Sequence, residues 1–221
     1  MSSVQSNNFD ACLYRLGGLT TPKSKEKIFY VDLEEFFLQA TLEVFNNDSR
    51  LSRCIEFWVY RYGKYLSPFK LVKLIKNENS FDPSALGGLL SIADNKFPRG
   101  QFSTLQKYAK KSPGRKMFNI VSALKKTDHR WEKYGIEAPI FLLDEEAHFL
   151  RGMSGVILNI PELKYRVMGL TPSASDLKAY LEVFPDSSLY RAAKETHQGY
   201  GSAHKNYTRY VLPFLNIKKA T

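Results

Sequence analysis

The stretch SRLSRCIEFWVYRY, residues 49–62, carries the clearest hydrophobic periodicity in the chain. Its apolar side chains recur every three or four positions, at Leu51, Cys54, Ile55, Trp58, Val59 and Tyr62. This spacing places them on one face of an α-helix and the charged side chains on the other. The stretch therefore predicts an amphipathic helix that packs one face against a core.

Helix signals continue on both sides of this stretch. The pairs Ser67-Pro68 and Asp82-Pro83 each place a capping residue before a proline at the first helical position. Toward the end of the chain, residues 171–184, 187–197 and 202–212 predict three more helices. We therefore expect a mainly α fold of multi-helix domains that ends in a C-terminal three-helix unit.

Two short stretches have the character of strands. Residues 138–143 are apolar, and residues 155–160 are β-branched and followed by Pro161. Such runs could pair as a hairpin. The sequence thus predicts at most one small β-hairpin near residues 138–160.

Composition shifts along the chain predict three regions. Residues 1–28 contain Gly17, Gly18 and Pro22 before a charged run, so we expect a flexible N-terminal arm with order beginning near Val31. Residues 29–135 would form a helical domain that includes a basic region at 95–127. Residues 136–221 would hold the small hairpin and the C-terminal helices.

The overall composition excludes several protein classes. The chain has 221 residues, a net charge of +10 and 43% hydrophobic residues, which is too apolar for a disordered chain. Cys12 and Cys54 are too few for a disulfide scaffold or a zinc site. The first eight residues lack the apolar core of a signal peptide, and no apolar run approaches the ~20 residues of a membrane span. We expect a cytoplasmic protein with no membrane partner.

The positive charge is concentrated rather than spread. Residues 95–127 contain nine lysines and arginines and no acidic residue. A polyanion would relieve the repulsion between these cations through counterion release. The sequence therefore predicts a phosphate-contacting surface, although a solvated, solubilising surface is the alternative. The residues expected to contact phosphates are Lys107, Lys110, Lys111, Arg115 and Lys116.

Residues 188–210 resemble a helix-turn-helix. Ala192 and Ala193 would supply the small contact between two helices, Gly199 and Gly201 the turn, and Ser202 the cap of the second helix. Inward positions of that helix would be Ala203, Tyr207, Tyr210 and Val211. Outward positions would be His204, Lys205, Thr208 and Arg209. The resemblance implies contacts to phosphates and base edges in a DNA major groove, and a plain helical hairpin is the other interpretation.

A weaker pattern keeps an enzyme under consideration. Asp144 closes an apolar run, and Glu162 and Lys164 follow another, which resembles the metal site of PD-(D/E)xK nucleases. The four histidines lack the spacing of a metal helix. Separately, Tyr60, Tyr62 and Tyr65 could form a base-stacking platform or pack in the core.

Together these patterns favour a non-catalytic nucleic-acid-binding protein that needs no cofactor or metal. Duplex DNA is favoured over RNA because no signature of an RNA-binding module appears. A regulator of transcription and a DNA-binding component of a larger system fit equally well. The alternatives are an adaptor that binds an acidic protein partner and a metal-dependent nuclease.

Overall fold

The fold is mainly helical, as a computed structural model describes it for residues 9–19, 29–46, 48–77, 80–94, 100–117, 127–140 and 143–213. The chain divides into two compact units. The first unit comprises the described residues of 1–25 and 33–152, and the second those of 26–32 and 153–221. The boundary at residue 152 lies beyond the one expected at residue 135.

Within the described residues, the first unit contains six α-helices. They are α1 (Phe9–Arg15), α2 (Leu33–Glu43), α3 (Ser49–Tyr62), α4 (Pro68–Asn77), α5 (Pro83–Asp94) and α6 (His129–Glu132). Helix α3 spans the residues predicted, with the side chain of Asp48 accepting hydrogen bonds from the first turn. Its Trp58 is fully buried and packs edge-to-face on Phe36 at 4.7 Å between ring centroids. The amphipathic stripe therefore builds this core as expected.

Helix α1 corrects the expectation of an arm that is flexible as far as residue 28. Phe9, Leu13 and Leu16 lie at helical spacing and are all buried. The Phe9 ring stacks on Phe36, with 5.0 Å between centroids. Gly17, at φ 102°, ends the helix because this left-handed conformation favours glycine. Burial of these apolar side chains orders a stretch that was expected to be flexible, and residues 20–28 lie outside the described residues.

Two glycines let α5 approach α6 closely. A Cβ atom on Gly88 would lie 2.1 Å from the Trp131 ring, and one on Gly87 would lie 2.3 Å from the Tyr134 ring. The Trp131 indole nitrogen donates to the buried carboxylate of Glu56 at 2.8 Å. These contacts fix residues 128–137, and they thereby position the strand that follows α6.

The β-structure in the described residues is smaller than expected and lies elsewhere. Strands β1 (Arg115–Lys116) and β2 (Ile136–Glu137) pair in parallel, with Arg115 opposite Ile136. The β-branched stretch 155–160 falls instead in α7 (Met153–Asn159) and the residue that caps the next helix, so it forms no hairpin with residues 138–143. Val156 is buried within α7, and Ile160, which has an extended backbone, is buried as the cap of the next helix. Burial in the helix overrides the local strand preference.

The second unit contains the C-terminal helices. After α7 come α8 (Pro161–Val167), α9 (Pro172–Val183), α10 (Leu189–Glu195) and α11 (Tyr200–Asn206), which a wider π-helical turn extends through Val211. The helices predicted over 171–184, 187–197 and 202–212 correspond to α9, α10 and α11. Their common core includes Leu177, Tyr180, Ala192, Ala193 and Ala203. None of the helices in the described part of the chain is long and apolar enough to cross a membrane.

Candidate nucleic-acid interface

The basic loop, defined here as residues 107–116, is held by its backbone. Lys110 N donates to Pro83 O at 3.1 Å, at the start of α5, and Ser112 N donates to Tyr134 O at 2.9 Å. Gly114 makes the tight turn at φ 78°. Because these anchors are backbone groups, the lysine side chains do not hold the loop in place. Lys107, Lys110 and Lys111 are all exposed.

Arg115 differs from the lysines of the basic loop. Its guanidinium pairs with the Asp82 carboxylate and lies 3.5 Å from the centroid of the Phe45 ring. Burial favours the neutral form of Asp82, but hydrogen bonds from the Ala85 amide, Ser84 and Arg115 outweigh it and lower the pKa of this carboxyl group. Arg115 is therefore engaged within its own unit.

Lys116 is less engaged than Arg115 but, unlike the other lysines of the basic loop, it has an ion-pair partner. Its ammonium group lies 3.1 Å from the Glu137 carboxylate, and both side chains remain more than half exposed. Such an exposed pair is weak and exchanges readily with another anion. Of the five cations predicted to contact phosphates, the structure thus presents three lysines openly, one in a weak ion pair, and one arginine in a structural contact.

The second surface lies on α10 and α11. Ala203 and Val211 are buried and Tyr207 and Tyr210 are half-buried, so the opposite side of the helix faces solvent. The residues predicted to point outward are all exposed: His204, Lys205, Thr208 and Arg209. On α10, Arg191 and Lys194 are exposed as well. We call these six residues, together with Tyr190 and Tyr200, the C-terminal face.

The turn between α10 and α11 differs in detail from the expected one. Gly199 caps α11 at φ −67°, whereas Ser202 lies within the helix. The left-handed position is taken by His197, at φ 56°. The side-chain amide of Gln198 donates to Ser173 O at 2.8 Å and accepts from Asn206 at 3.0 Å. Gln198 thereby ties the turn to α9 and α11, a role that no sequence pattern indicated.

Two exposed aromatic rings on the C-terminal face were also missed. Tyr190 is 70% exposed and Tyr200 is 53% exposed, with 6.4 Å between ring centroids. The stacking platform considered at residues 60–65 does not form, because Tyr62 is fully buried and packs on Trp58. Helical position alone does not reveal the exposed pair, because Tyr190 and Tyr200 each precede a buried alanine, Ala193 and Ala203, by three residues, which places ring and alanine on the same side of the helix.

The residues of the nuclease alternative belong to different units and to helices. Glu162 is buried and accepts a hydrogen bond from Val31 N at 3.0 Å, while Lys164 lies 3.3 Å from Glu182. Both belong to α8, where residues two apart point to opposite sides of the helix. The nuclease site requires a strand, in which residues two apart point to the same side. Asp144 belongs to a short 3-10 helix, Leu143–His148, in the first unit.

Compared with family models, with curated proteins and with solved structures, the chain gives no match. Function is therefore inferred from the chemistry of the two surfaces alone.

Proposed function

We propose that the protein is a cytoplasmic, non-catalytic nucleic-acid-binding protein that contacts phosphates through the basic loop and the C-terminal face. The observation that carries this proposal is the charge of the C-terminal face. Arg191, Lys194, Lys205 and Arg209 are exposed there, and Glu195 is the one acidic residue between positions 187 and 213. A surface of this kind attracts a polyanion and releases its counterions.

The basic loop supports the same ligand independently. Among the described residues, no ion pair with an acidic side chain involves Lys107, Lys110 or Lys111. These lysines follow one another on an exposed loop whose backbone is anchored, so a phosphate backbone can bind without a change in the loop. Contacts of this type position a nucleic acid and carry no sequence information.

Duplex DNA is the ligand that the helix-turn-helix resemblance favours. A four-residue connection joins α10 and α11, and the second helix presents His204, Lys205, Thr208 and Arg209 to solvent. In a major groove, Arg209 would suit a bidentate contact to guanine and Lys205 a phosphate. Arg209→Ala should then weaken binding by ~1–3 kcal/mol at a preferred site, while Lys205→Ala should weaken all sequences alike.

The adaptor alternative makes a different prediction about the ligand. An acidic protein partner would use the same cations, but it would not give the steep salt dependence of a phosphate backbone. The test is fluorescence anisotropy with labelled duplex DNA, single-stranded DNA, RNA and a polyglutamate peptide over a series of salt concentrations. We expect nucleic acid to bind with a steep loss of affinity as salt rises. Absence of binding to every nucleic acid at low salt would refute the proposal.

A further inference from the structure

The exposed tyrosines of the C-terminal face form a row with a histidine. The Tyr190 and Tyr200 rings are 6.4 Å apart and tilted by 43°, and the His204 ring follows at 6.3 Å and 42°. Tyr200 and His204 are one turn apart on α11, whereas Tyr190 belongs to α10. Neither tyrosine helps to close the core beneath, because Ala192, Ala193 and Ala203 fill that space.

The row is rigid and surrounded by cations. The alanine contacts hold α10 against α11, and Gln198 ties the connection between them to α9 and α11. Lys194 lies one turn after Tyr190, and Lys205 lies next to His204 in the chain. Aromatic rings interleaved with cations on a fixed surface are the arrangement that binds bases by stacking and phosphates by charge.

We propose that the C-terminal face binds single-stranded nucleic acid, with unpaired bases stacked on Tyr190, Tyr200 and His204. This inference rests on the proposed nucleic-acid binding, but it assigns the C-terminal face an unpaired strand in place of the duplex that the helix-turn-helix resemblance favours. In a duplex each base face is covered by its neighbours at ~3.4 Å along a strand. The three rings are 6.3–6.4 Å apart and tilted by 42–43° to one another, so bases stacked on them would lose the close parallel stacking of a duplex strand.

The test compares rings with matched apolar side chains. We would measure the affinity of Tyr190→Leu and Tyr200→Leu for a labelled oligothymidylate and for a duplex of equal length. Each variant should bind the single strand about tenfold more weakly, since stacking on one ring is lost. The salt slope should stay unchanged because no cation is removed. Tyr200→Phe should retain the affinity because it keeps the ring.

Phe69 supplies the control variant. It is 87% exposed on α4 of the first unit, so Phe69→Leu removes an exposed ring from another surface. Although this ring is more exposed than Tyr190 or Tyr200, we expect the affinity of Phe69→Leu for the single strand to equal that of the unmodified protein. Circular dichroism should give the same melting temperature for all four variants, because none of these rings belongs to a core.

A spectroscopic readout reports stacking directly. Trp58 and Trp131 are both fully buried, so they contribute a constant background of fluorescence. In Tyr200→Trp the new indole should be quenched when oligothymidylate binds and should respond little to a duplex. Unquenched fluorescence, or Leu variants that bind the single strand as tightly as the unmodified protein, would overturn the stacking proposal. If salt-dependent binding persists in that case, nucleic-acid binding stands; loss of all binding in the unmodified protein refutes both.

Discussion

Neutralising the three open lysines of the basic loop tests its function most sharply. In the variant Lys107→Ala, Lys110→Ala, Lys111→Ala, the backbone hydrogen bonds of Lys110 and Ser112 remain, because alanine keeps the peptide groups that make them. The side chains themselves are exposed and contribute little to folding. We therefore expect the free energy of unfolding, measured in urea, to change by less than about 0.5 kcal/mol.

The magnitude of the binding effect follows from counterion release. Each phosphate contact contributes ~0.9 to the slope of log affinity against log salt concentration for a duplex, and ~0.7 for a single strand. If each lysine makes one contact, the slope for a duplex becomes shallower by ~2.7. The ratio of the affinity of the unmodified protein to that of the triple variant then falls about 500-fold for each tenfold rise in salt concentration. Anisotropy titrations with the same duplex at several salt concentrations measure this slope.

Arg115→Ala is the matched control within the same loop. Its guanidinium already pairs with Asp82 and covers Phe45, so its loss should leave the salt slope nearly unchanged. The loss should instead lower the free energy of unfolding by about 1–3 kcal/mol, because a partly buried ion pair and a cation–π contact disappear. If the triple variant kept the slope of the unmodified protein, or if Arg115→Ala lowered the slope without affecting stability, this assignment of roles would be wrong.

Four further predictions concern stability. Gly88→Ala should destabilise the first unit by about 1–3 kcal/mol or more in urea unfolding, since the added Cβ would lie 2.1 Å from the Trp131 ring; a fully stable variant would contradict this packing. Gly199→Val should fold normally by circular dichroism, because Gly199 has φ −67° and a Cβ atom added there would meet no neighbouring atom. His197→Gly should raise the free energy of unfolding by up to ~1 kcal/mol, because His197 has a left-handed backbone conformation that glycine adopts without strain. Burial raises the pKa of Glu56 in the folded state, so the contribution of this residue to stability should decline as pH rises from its unfolded pKa through its folded pKa. Glu56→Gln should lose this pH dependence. A variant with the same pH profile as the unmodified protein would argue against this role of Glu56.

The helices could be predicted where hydrophobic periodicity was long and unambiguous. Helix α3 begins and ends where its stripe does, and α4 and α5 begin at the prolines that marked them. The mainly α class is confirmed for this reason. Short segments gave less information: α1 and α7 have only seven residues each, so two or three buried side chains decide their conformation. Such long-range burial is absent from local sequence preference.

The basic loop shows what a charge run can and cannot predict. The sequence identifies its cations as one run, but it treats Arg115 and Lys110 as equivalent. Arg115 finds Asp82 more than 30 residues away in the chain, and only the fold brings the two together. The number of cations in a run therefore overstates the number that can reach a phosphate.

The sequence predicted the outward cations of the C-terminal face but not its exposed tyrosines, for a related reason. A stripe of aromatic side chains ordinarily marks the buried side of a helix, since these rings bury the most apolar area. In α10 and α11 the order is reversed, with alanines inside and Tyr190 and Tyr200 outside. Alanines permit the two helices to approach closely, but burial of their small side chains contributes little free energy to folding. The exposed parts of the two large rings contribute none. Folding stability does not account for this arrangement, whereas the binding proposed above does: the nucleic acid would cover the two rings, and the surrounding cations would attract its negative charge.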